Sequence, residues 1–337
     1  MSPCYRIAVL GGGSFGTTLC NILAENGHRA TLWLRDPQRA EEINRDHKNS
    51  YYLPQLRLHD NVVANTDLLA AVEGADLVFF SVPSSSCRSV AEQLAPCIGS
   101  KAEIISTTKG IEREQFRLMS EVLAEQFPGH PLGVLSGPNL AKEIAAKEMT
   151  ATVIASESAA LIEKVQAALG SQYFRVYASE DVFGVELGGA LKNIYAIMSG
   201  IADALQLGAN TRAMLLTRSL AEMSRFAVTL GANPLTFLGL SGVGDLIVTC
   251  SSPLSRNFQV GQALGSGKSL QQATEQLGQV AEGVNTLQLV QKKADELGVY
   301  MPLVQGLYQI LYQQVPLQDA VSQLMENAQT TDVAFTL

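Results

Sequence analysis

The first half of the chain alternates short apolar runs with segments of helical periodicity. The runs are rich in Val, Ile and Phe, and many end at Gly, Pro or Ser, which is typical of buried strands. The repeated strand–helix order favours a doubly wound α/β domain built around a mainly parallel sheet. The predicted strands are 6–10, 30–34, 77–82, 103–107, 132–135, 152–155 and 174–177.

Past residue 180 the strand pattern stops and only helical periodicity continues. Apolar residues recur there at three- and four-residue steps, which marks the apolar face of a long helix. The chain has 337 residues, a length that corresponds to about two domains. We therefore predict an α/β domain over residues 1–180 and an all-helical domain over residues 181–337. The long stripe comprises Leu187, Leu191, Ile194, Met198, Ile201 and Leu205, and similar patterns cover 211–230, 270–276, 285–297 and 303–313.

Composition and charge narrow the possible partners. Apolar residues make up 47% of the chain and charged residues 17%, which excludes a disordered protein. The net charge of −8 and the lack of a basic stripe argue against nucleic acid. The sequence contains no apolar run of about 18 residues, so we expect no membrane partner. We expect a cytoplasmic protein, because the five cysteines form no CxxC pair and the N-terminus has no secretory pattern. We expect no metal site, because the histidines lack metal-ligand spacing.

A glycine-rich turn follows the first predicted strand. Gly11, Gly13 and Gly16 have the spacing G-x-G-x-x-G and come directly before a helical segment. In a dinucleotide site the first glycine allows the tight turn, the second lets the backbone approach a pyrophosphate, and the third lets the helix pack on the strand. The start of the helix then offers N–H groups and a partial positive charge to the anion. A purely structural turn is the alternative.

The second predicted strand ends close to Arg35 and Asp36, at the distance from the glycine-rich turn where ribose recognition occurs. An acidic residue there binds the ribose hydroxyls of NAD, whereas an arginine accommodates the additional phosphate of NADP. Because Arg35 comes first, we expect NADPH to be used at least as well as NADH. A solvated surface cation is the alternative interpretation of Arg35.

Three later segments place polar groups at strand ends, where open sheets bind their ligands. They are 81–84, 107–112 and 136–141. Lys109 lies between a strand end and a glycine, where its ammonium can reach a ligand. Gly137 and Pro138 form a turn that can present backbone N–H groups. Each segment alone is compatible with an ordinary loop, but their convergence on one sheet edge favours a function.

Lys192 lies in a row of small and polar residues on the predicted long helix. A lysine that is buried is costly unless it is paired or functional, and desolvation favours its neutral, proton-accepting form. A lysine that extends to the surface is the alternative. Farther along, Arg256 stands between Ser255 and Asn257, a combination suited to phosphate recognition.

Together these motifs resemble those of bacterial NAD(P)-dependent glycerol-3-phosphate dehydrogenases. The resemblance spans nearly the whole chain through GGGSFG, STTKGIE, SGPNLAKEI, ELGGALKNIYAI, LSGVGDLIVTCSSPLSRNFQVG and VAEGVNT. It implies a Rossmann-like N-terminal domain followed by a helical C-terminal domain, commonly in a homodimer. It also implies the reversible reduction of dihydroxyacetone phosphate to sn-glycerol 3-phosphate with NADPH or NADH, which supplies glycerophospholipid synthesis.

The resemblance further assigns roles to individual positions. Lys192 matches the catalytic base and also contacts substrate. Lys109 matches a lysine that meets both cofactor and substrate, and we expect it to act in catalysis by stabilising the negative charge that develops on the substrate oxygen. Asn139 departs from the family, which usually has Ser or Thr there, although an amide can also donate a hydrogen bond. The other cofactor positions are Ser14, Phe15, Arg35, Ala141, Arg256, Val280 and Glu282, and the other substrate positions are Gly137, Asp245, Ser255, Arg256 and Asn257.

Two other functions are alternatives. A hydroxyacid dehydrogenase with the same two-domain plan would use Ser255, Arg256 and Asn257 to bind a carboxylate instead of a phosphate. A non-catalytic redox sensor that binds NAD(P) would not need Lys109, Lys192 and Asp245 together. Phosphorylated and carboxylated three-carbon substrates discriminate between the two enzymes.

Overall fold

The apolar runs of the first half form one sheet of eight strands in the computed structural model, which describes residues 4–112, 115–277 and 281–326. The strands are β1 (Arg6–Leu10), β2 (Arg29–Trp33), β3 (Val62–Asn65), β4 (Leu77–Phe80), β5 (Glu103–Ser106), β6 (Leu132–Ser136), β7 (Thr150–Ser156) and β8 (Phe174–Ser179). Their order in space is β3-β2-β1-β4-β5-β6-β7-β8. All neighbours are parallel except β6 and β7. The predicted mainly parallel sheet is confirmed.

The sequence pattern does not predict β3, because this strand has only four residues and they alternate between buried and more exposed positions. Val63 is 54% exposed, while its neighbours Val62 and Ala64 are buried. Its pairing with β2 therefore rests on the backbone ladder more than on apolar burial. Strand β3 is an edge strand, which is where a short strand with an exposed side chain is expected.

Both faces of the sheet are covered by helices, as the doubly wound prediction requires. Along β1 the side chains alternate: Ile7 and Val9 join one core, whereas Ala8 and Leu10 join the core on the opposite face. The helices of this half are α1 (Ser14–Glu25), α2 (Pro37–Asp46), α3 (Leu68–Val72), α4 (Ser84–Leu94), α5 (Met119–Gln126), α6 (Ala141–Ala145) and α7 (Ala159–Leu169). Apolar residues of α1, α2, α6 and α7 belong to the first core, and those of α3, α4 and α5 to the second.

After β8 the described residues contain helices and no strand, so the predicted all-helical second half is confirmed there. The helices are α8 (Val182–Ala204), α9 (Ala209–Thr229), α10 (Asp245–Ser251), α11 (Arg256–Gly265), α12 (Leu270–Leu277), α13 (Glu282–Leu297), α14 (Pro302–Tyr312) and α15 (Leu317–Glu326), with a 3-10 helix at Pro234–Leu238 and a π-helical turn at Leu240–Gly244. Internal contacts divide the chain into an N-terminal unit, Met1–Gly189, and a C-terminal unit, Ala190–Leu337. None of the described helices is long and apolar enough to cross a membrane.

Helix α8 is buried on all sides over much of its length, since every residue from 184 to 197 is buried. Within the C-terminal unit, α8 packs backbone to backbone on α11. A Cβ on Gly261 would overlap the backbone oxygen of Ile197, and one on Gly200 would overlap that of Phe258. Glycine at both positions therefore lets the two helices approach closely.

Candidate functional site

The glycine-rich turn has the geometry of a phosphate cradle. Gly11 has a φ of +124°, and a Cβ there would lie 2.5 Å from the backbone oxygen of Ser81. A Cβ on Gly16 would overlap the backbone oxygen of Gly11. At Gly13, by contrast, no atom of the described chain lies within 4 Å of such a Cβ. The first and third glycines thus fold the turn tightly, while the middle one leaves open space that fits an approaching pyrophosphate.

Helix α1 begins at this turn with Gly13 as its N-cap and without a side-chain cap. Ser14 Oγ contacts the backbone oxygen of Tyr52 at 3.5 Å. Phe15 packs against the first core, the one that contains Ile7 and Val9. An uncapped helix start presents its N–H groups to an anion. Gly11, Gly13, Ser14, Phe15 and Gly16 lie in this turn and in the first turn of α1, and their contact with a cofactor stays a prediction.

Sequence reasoning missed Asn49, which supports the same turn. Asn49 is fully buried, and its Nδ2 donates to the backbone oxygen of Gly12 at 3.0 Å and to Thr17 Oγ1 at 2.9 Å. Asn49 follows helix α2 in a segment without a local motif. Its role is set by tertiary contact alone, so no sequence signal could have found it.

The end of β2 is dominated by positive charge. Arg35 is exposed, with its guanidinium 5.8 Å from the centre of the Trp33 ring. Asp36 is the N-cap of α2: its Oδ1 accepts from the N–H groups of Gln38 and Arg39, and its Oδ2 accepts from Arg39 Nε at 2.7 Å. The hydrogen bond from Arg39 holds the pKa of Asp36 below its ordinary value. The carboxylate thus already has partners within the protein, whereas Arg35 extends into solvent.

Lys109 and Gly137 meet at the carboxyl ends of β5 and β6. Lys109 Nζ donates to the backbone oxygen of Gly137 at 3.3 Å. Gly137 has a φ of +148°, a backbone conformation that favours glycine. Ala141 begins α6, and its backbone oxygen accepts from Thr18 Oγ1 of α1 at 3.3 Å. The segment 136–141 therefore contacts both Lys109 and the helix that follows the glycine-rich turn.

Asn139 lies in this segment with its amide nitrogen already engaged. Its Nδ2 donates to Thr152 Oγ1 on β7 at 2.8 Å. Since the amide nitrogen carries two hydrogens, one N–H of Asn139 is bonded to Thr152, and the expectation that this amide donates to substrate stays a prediction.

In the C-terminal unit, Lys192 is buried and paired. Its Nζ contacts Asp245 Oδ1 and donates to Thr249 Oγ1 at 2.8 Å. Lys192 is 5% exposed and Asp245 is 1% exposed. The alternative of a lysine that extends to the surface is therefore wrong. Thr249 was missed, although its position four residues after Asp245 on α10 is the helical spacing that places both side chains on one face.

The predicted phosphate-binding residues form the start of α11. Ser255 is the N-cap, its Oγ accepting from the N–H of Phe258 at 3.3 Å, and Arg256 is exposed at the first helical position. The Asn257 side chain bridges two elements: Nδ2 donates to Asn193 Oδ1 at 2.9 Å, and Oδ1 accepts from the N–H of Gly283 at 3.0 Å. A helix start that carries Ser and Arg suits a phosphate.

Glu282 begins α13, directly before the Gly283 N–H that Asn257 accepts from. Val280, also predicted to meet the cofactor, lies outside the described residues. Glu282 is thus placed beside the start of α11, while the position of Val280 stays a prediction.

Two buried carboxylates bind helix starts within their own units. Glu186 accepts from the N–H of Ser120 at 3.0 Å, and Glu222 accepts from the N–H of Leu303 at 2.7 Å. Burial raises the pKa of each carboxyl to about 7, against the effect of these hydrogen bonds. Within the described ranges, no group of three or more His, Cys, Asp or Glu residues could hold a metal ion.

Comparison with known proteins connects both units with one family. Residues 6–162 match the model of the NAD-dependent glycerol-3-phosphate dehydrogenase N-terminus, and residues 181–322 match that of its C-terminus. The chain is 57% identical to a glycerol-3-phosphate dehydrogenase [NAD(P)+] of Ectopseudomonas mendocina, over 99% of this chain and 98% of that protein. It is 58% identical to the enzyme of the same name from Pseudomonas fluorescens, over 98% of this chain and 96% of the relative.

Solved structures lead to the same family. The crystal structure of glycerol-3-phosphate dehydrogenase from Coxiella burnetii has a TM-score of 0.92 and 38% sequence identity, covering 96% of this chain and 99% of that one. Since the similarity extends through both units, it includes the glycine-rich turn as well as the segment that contains Lys192 and Asp245.

Proposed function

The chain belongs to the NAD-dependent glycerol-3-phosphate dehydrogenase family, and from this premise we propose that it reduces dihydroxyacetone phosphate to sn-glycerol 3-phosphate, reversibly, with NADPH or NADH. One observation carries the proposal beyond the family name. A lysine ammonium and a carboxylate, Lys192 and Asp245, are buried together on α8 and α10. Burying two charges costs stability, which indicates that the pair is kept for a purpose other than folding. In this proposal that purpose is proton transfer.

The N-terminal unit binds the cofactor in this proposal. Gly11, Gly13 and Gly16 shape the turn, and Ser14 and Phe15 begin the helix that faces the pyrophosphate. Arg35 meets the adenosine ribose or its phosphate, and Ala141 lies beside α1. When bound, the cofactor supplies the hydride that reduces the C2 carbonyl. Arg256, Val280 and Glu282 are further cofactor contacts by family resemblance.

Lys192 supplies the proton. The Lys192 ammonium is paired with the Asp245 carboxylate, and this ammonium protonates the C2 oxygen during reduction. In the reverse direction the neutral amine of Lys192 removes the C2 hydroxyl proton. Lys109, held at Gly137, stabilises the negative charge that develops on the oxygen.

The substrate phosphate binds at the start of α11. The side chains of Ser255 and Asn257 hold the local structure, and the backbone N–H groups of the helix start and the guanidinium of the exposed Arg256 suit the phosphate by their charge and geometry. Fixing the phosphate orients C2 for reaction. Gly137 and Asn139 contribute the remaining substrate contacts.

We propose a cytoplasmic homodimer whose product supplies glycerophospholipid synthesis. All five cysteines, Cys4, Cys20, Cys87, Cys97 and Cys250, have free thiols, which fits a reducing compartment. The dimer and the metabolic role rest on the family resemblance. Equilibrium sedimentation of the purified protein tests the dimer directly.

A substrate panel tests the activity. We expect oxidation of NADPH or NADH with dihydroxyacetone phosphate, and formation of the sn isomer of glycerol 3-phosphate. Carboxylated three-carbon keto acids should give no comparable rate, because the helix start that meets the phosphate is matched to a dianion. Faster turnover of a keto acid would favour the hydroxyacid dehydrogenase, and cofactor binding without turnover of either class would favour the redox sensor.

A further inference from the structure

The first turn of α2 occupies both oxygens of the Asp36 carboxylate. Its Oδ1 accepts from the backbone N–H of Gln38 at 3.0 Å and from that of Arg39 at 3.3 Å. Its Oδ2 accepts from Arg39 Nε at 2.7 Å, so carboxylate and guanidinium form an ion pair. The two side chains are 36% and 31% exposed. The pair therefore lies at the surface, next in sequence to Arg35, where a ligand experiences its charge.

Two tyrosine rings hold the guanidinium of Arg39 in this position. Its central carbon lies 5.0 Å from the ring centre of Tyr51 and 5.2 Å from that of Tyr52. The two rings meet edge to face, with their centres 4.8 Å apart. An aromatic face attracts a cation, so the rings restrict the motion of the guanidinium. A restricted arginine pairs with a carboxylate more effectively than a mobile surface side chain does.

This arrangement changes what an acidic residue at the end of β2 does. A free carboxylate at such a strand end binds the ribose hydroxyls of NAD, and its charge repels the 2′-phosphate of NADP. In this chain the acidic residue is present, but Arg39 balances its charge and both of its oxygens already accept hydrogen bonds. The carboxylate therefore no longer acts as a selector for NADH.

Building on the cofactor site of the proposed function, we propose that Arg39 is a positioning residue that withdraws Asp36 from the ribose and so permits NADPH to bind. Arg35 then meets the 2′-phosphate without a competing negative charge. The choice between NADPH and NADH thus depends on an ion pair within the first turn of α2 as well as on Arg35.

The ratio of the Kd for NADH to the Kd for NADPH, obtained by fluorescence titration, measures this role. Arg39→Met removes the cation and frees the carboxylate, so we expect the ratio to fall by about tenfold, mainly through weaker binding of NADPH. Adding Asp36→Asn to this variant removes the freed charge, while the amide oxygen can still cap α2. The ratio should then return to within about threefold of the wild-type value.

Arg45→Met is the matched control, because Arg45 is an exposed arginine of the same helix and pairs with Asp46 instead. Its ratio should equal that of the wild type. An unchanged ratio in Arg39→Met overturns the assignment, because a residue that only supports the fold affects both cofactors equally. A lowered ratio that Asp36→Asn does not restore also overturns it, since Arg39 would then contact the phosphate itself.

The titrations need no turnover, which separates this assignment from the proposed activity. A wild-type protein that binds both cofactors but does not reduce dihydroxyacetone phosphate contradicts the proposed function alone. The Kd ratios of the variants decide the role of Arg39 in either case.

Discussion

Asn49 donates from Nδ2 to the backbone oxygen of Gly12 at 3.0 Å, across a sequence separation of 37 residues. The same nitrogen contacts Thr17 Oγ1 in the first turn of α1, so one buried amide connects the glycine-rich turn with the helix that follows it. Gly12 is also confined from the other side, where a Cβ would lie 2.8 Å from Leu34 Cβ. The shape of the phosphate cradle thus depends on a residue outside its motif.

Replacing Asn49 should weaken cofactor binding. In Asn49→Ala the oxygen of Gly12 loses its donor, and we expect the Kd for NADPH to rise by about tenfold because an unmatched buried polar group costs about 1–3 kcal/mol. Fluorescence titration of NADPH measures this Kd. Asn44→Ala is the control: Asn44 binds the backbone of Ala64 on β3, so its loss should reduce stability and leave the Kd unchanged. Equal effects of the two variants on the Kd would contradict the role of Asn49.

Arg35 should determine how well the protein uses NADPH, which carries a 2′-phosphate, relative to NADH, which does not. In Arg35→Ala we expect kcat/KM for NADPH to fall by about tenfold or more and that for NADH by less than about threefold, because the guanidinium pairs with a phosphate that NADH lacks. Steady-state kinetics with both cofactors measures the two values. Arg45→Ala, which removes an exposed arginine of α2 paired with Asp46, is the control. A strong NADH preference that Arg35→Ala leaves unchanged would show that Arg35 is only a surface cation.

The contact between α8 and α11 should be sensitive to a single methyl group. In Gly261→Ala the new Cβ overlaps the Ile197 backbone, and overpacking of this kind lowers the free energy of unfolding by about 1–3 kcal/mol. Because α11 must move, we also expect the KM for dihydroxyacetone phosphate to rise. Thermal unfolding and kinetics measure the two effects. In Gly99→Ala, where no described atom lies within 4 Å of the added Cβ, both values should stay unchanged.

Glu222 should make stability depend on pH. Burial raises its pKa from 4.5 to about 7 in the folded protein. Between these two values the unfolded chain releases the proton and the folded protein keeps it, so the free energy of unfolding falls by about 1.4 kcal/mol per pH unit as pH rises. This contribution is fully present below the unfolded pKa and is lost above about pH 7. Glu186 titrates in the same range within the N-terminal unit.

Urea unfolding from pH 5 to pH 8 measures this dependence. Glu222→Gln removes the contribution of Glu222 and leaves that of Glu186. The free energy of unfolding should therefore fall less steeply with pH in this variant than in the wild type. Glu275→Gln replaces an exposed carboxyl of α12 and should leave the slope unchanged. A wild-type slope that persists in Glu222→Gln would contradict the raised pKa.

Much of the fold follows from local sequence. Strand β1, which ends directly before Gly11, and the apolar stripe along α8 can be read from the sequence because burial imposes a period on contiguous residues. The antiparallel pairing of β6 with β7 is not visible, since both strands are short apolar runs and direction depends on how the intervening loop returns. Helices α10 and α11 are short and lie on either side of Pro253, so their periodicity is too brief to detect.

The site was predictable where it rests on motifs and unpredictable where it rests on tertiary contacts. Lys192 and Arg256 stand out by residue type and neighbours, and family resemblance adds Asp245. The hydrogen bond from Asn139 to Thr152 joins two residues that no local sequence pattern connects. The direction in which an amide points depends on its spatial neighbours, which the sequence alone does not provide.

The most direct test of the account is the turnover of Lys192→Met with dihydroxyacetone phosphate and NADPH. Because removing the lysine alone takes the ammonium away from the buried Asp245 carboxylate, the variant is also made together with Asp245→Asn. We expect kcat to fall by about 10² or more in both, the usual scale of general acid–base catalysis, while the Kd for NADPH stays within about threefold of wild type. Near-normal kcat in folded Lys192→Met would contradict the account.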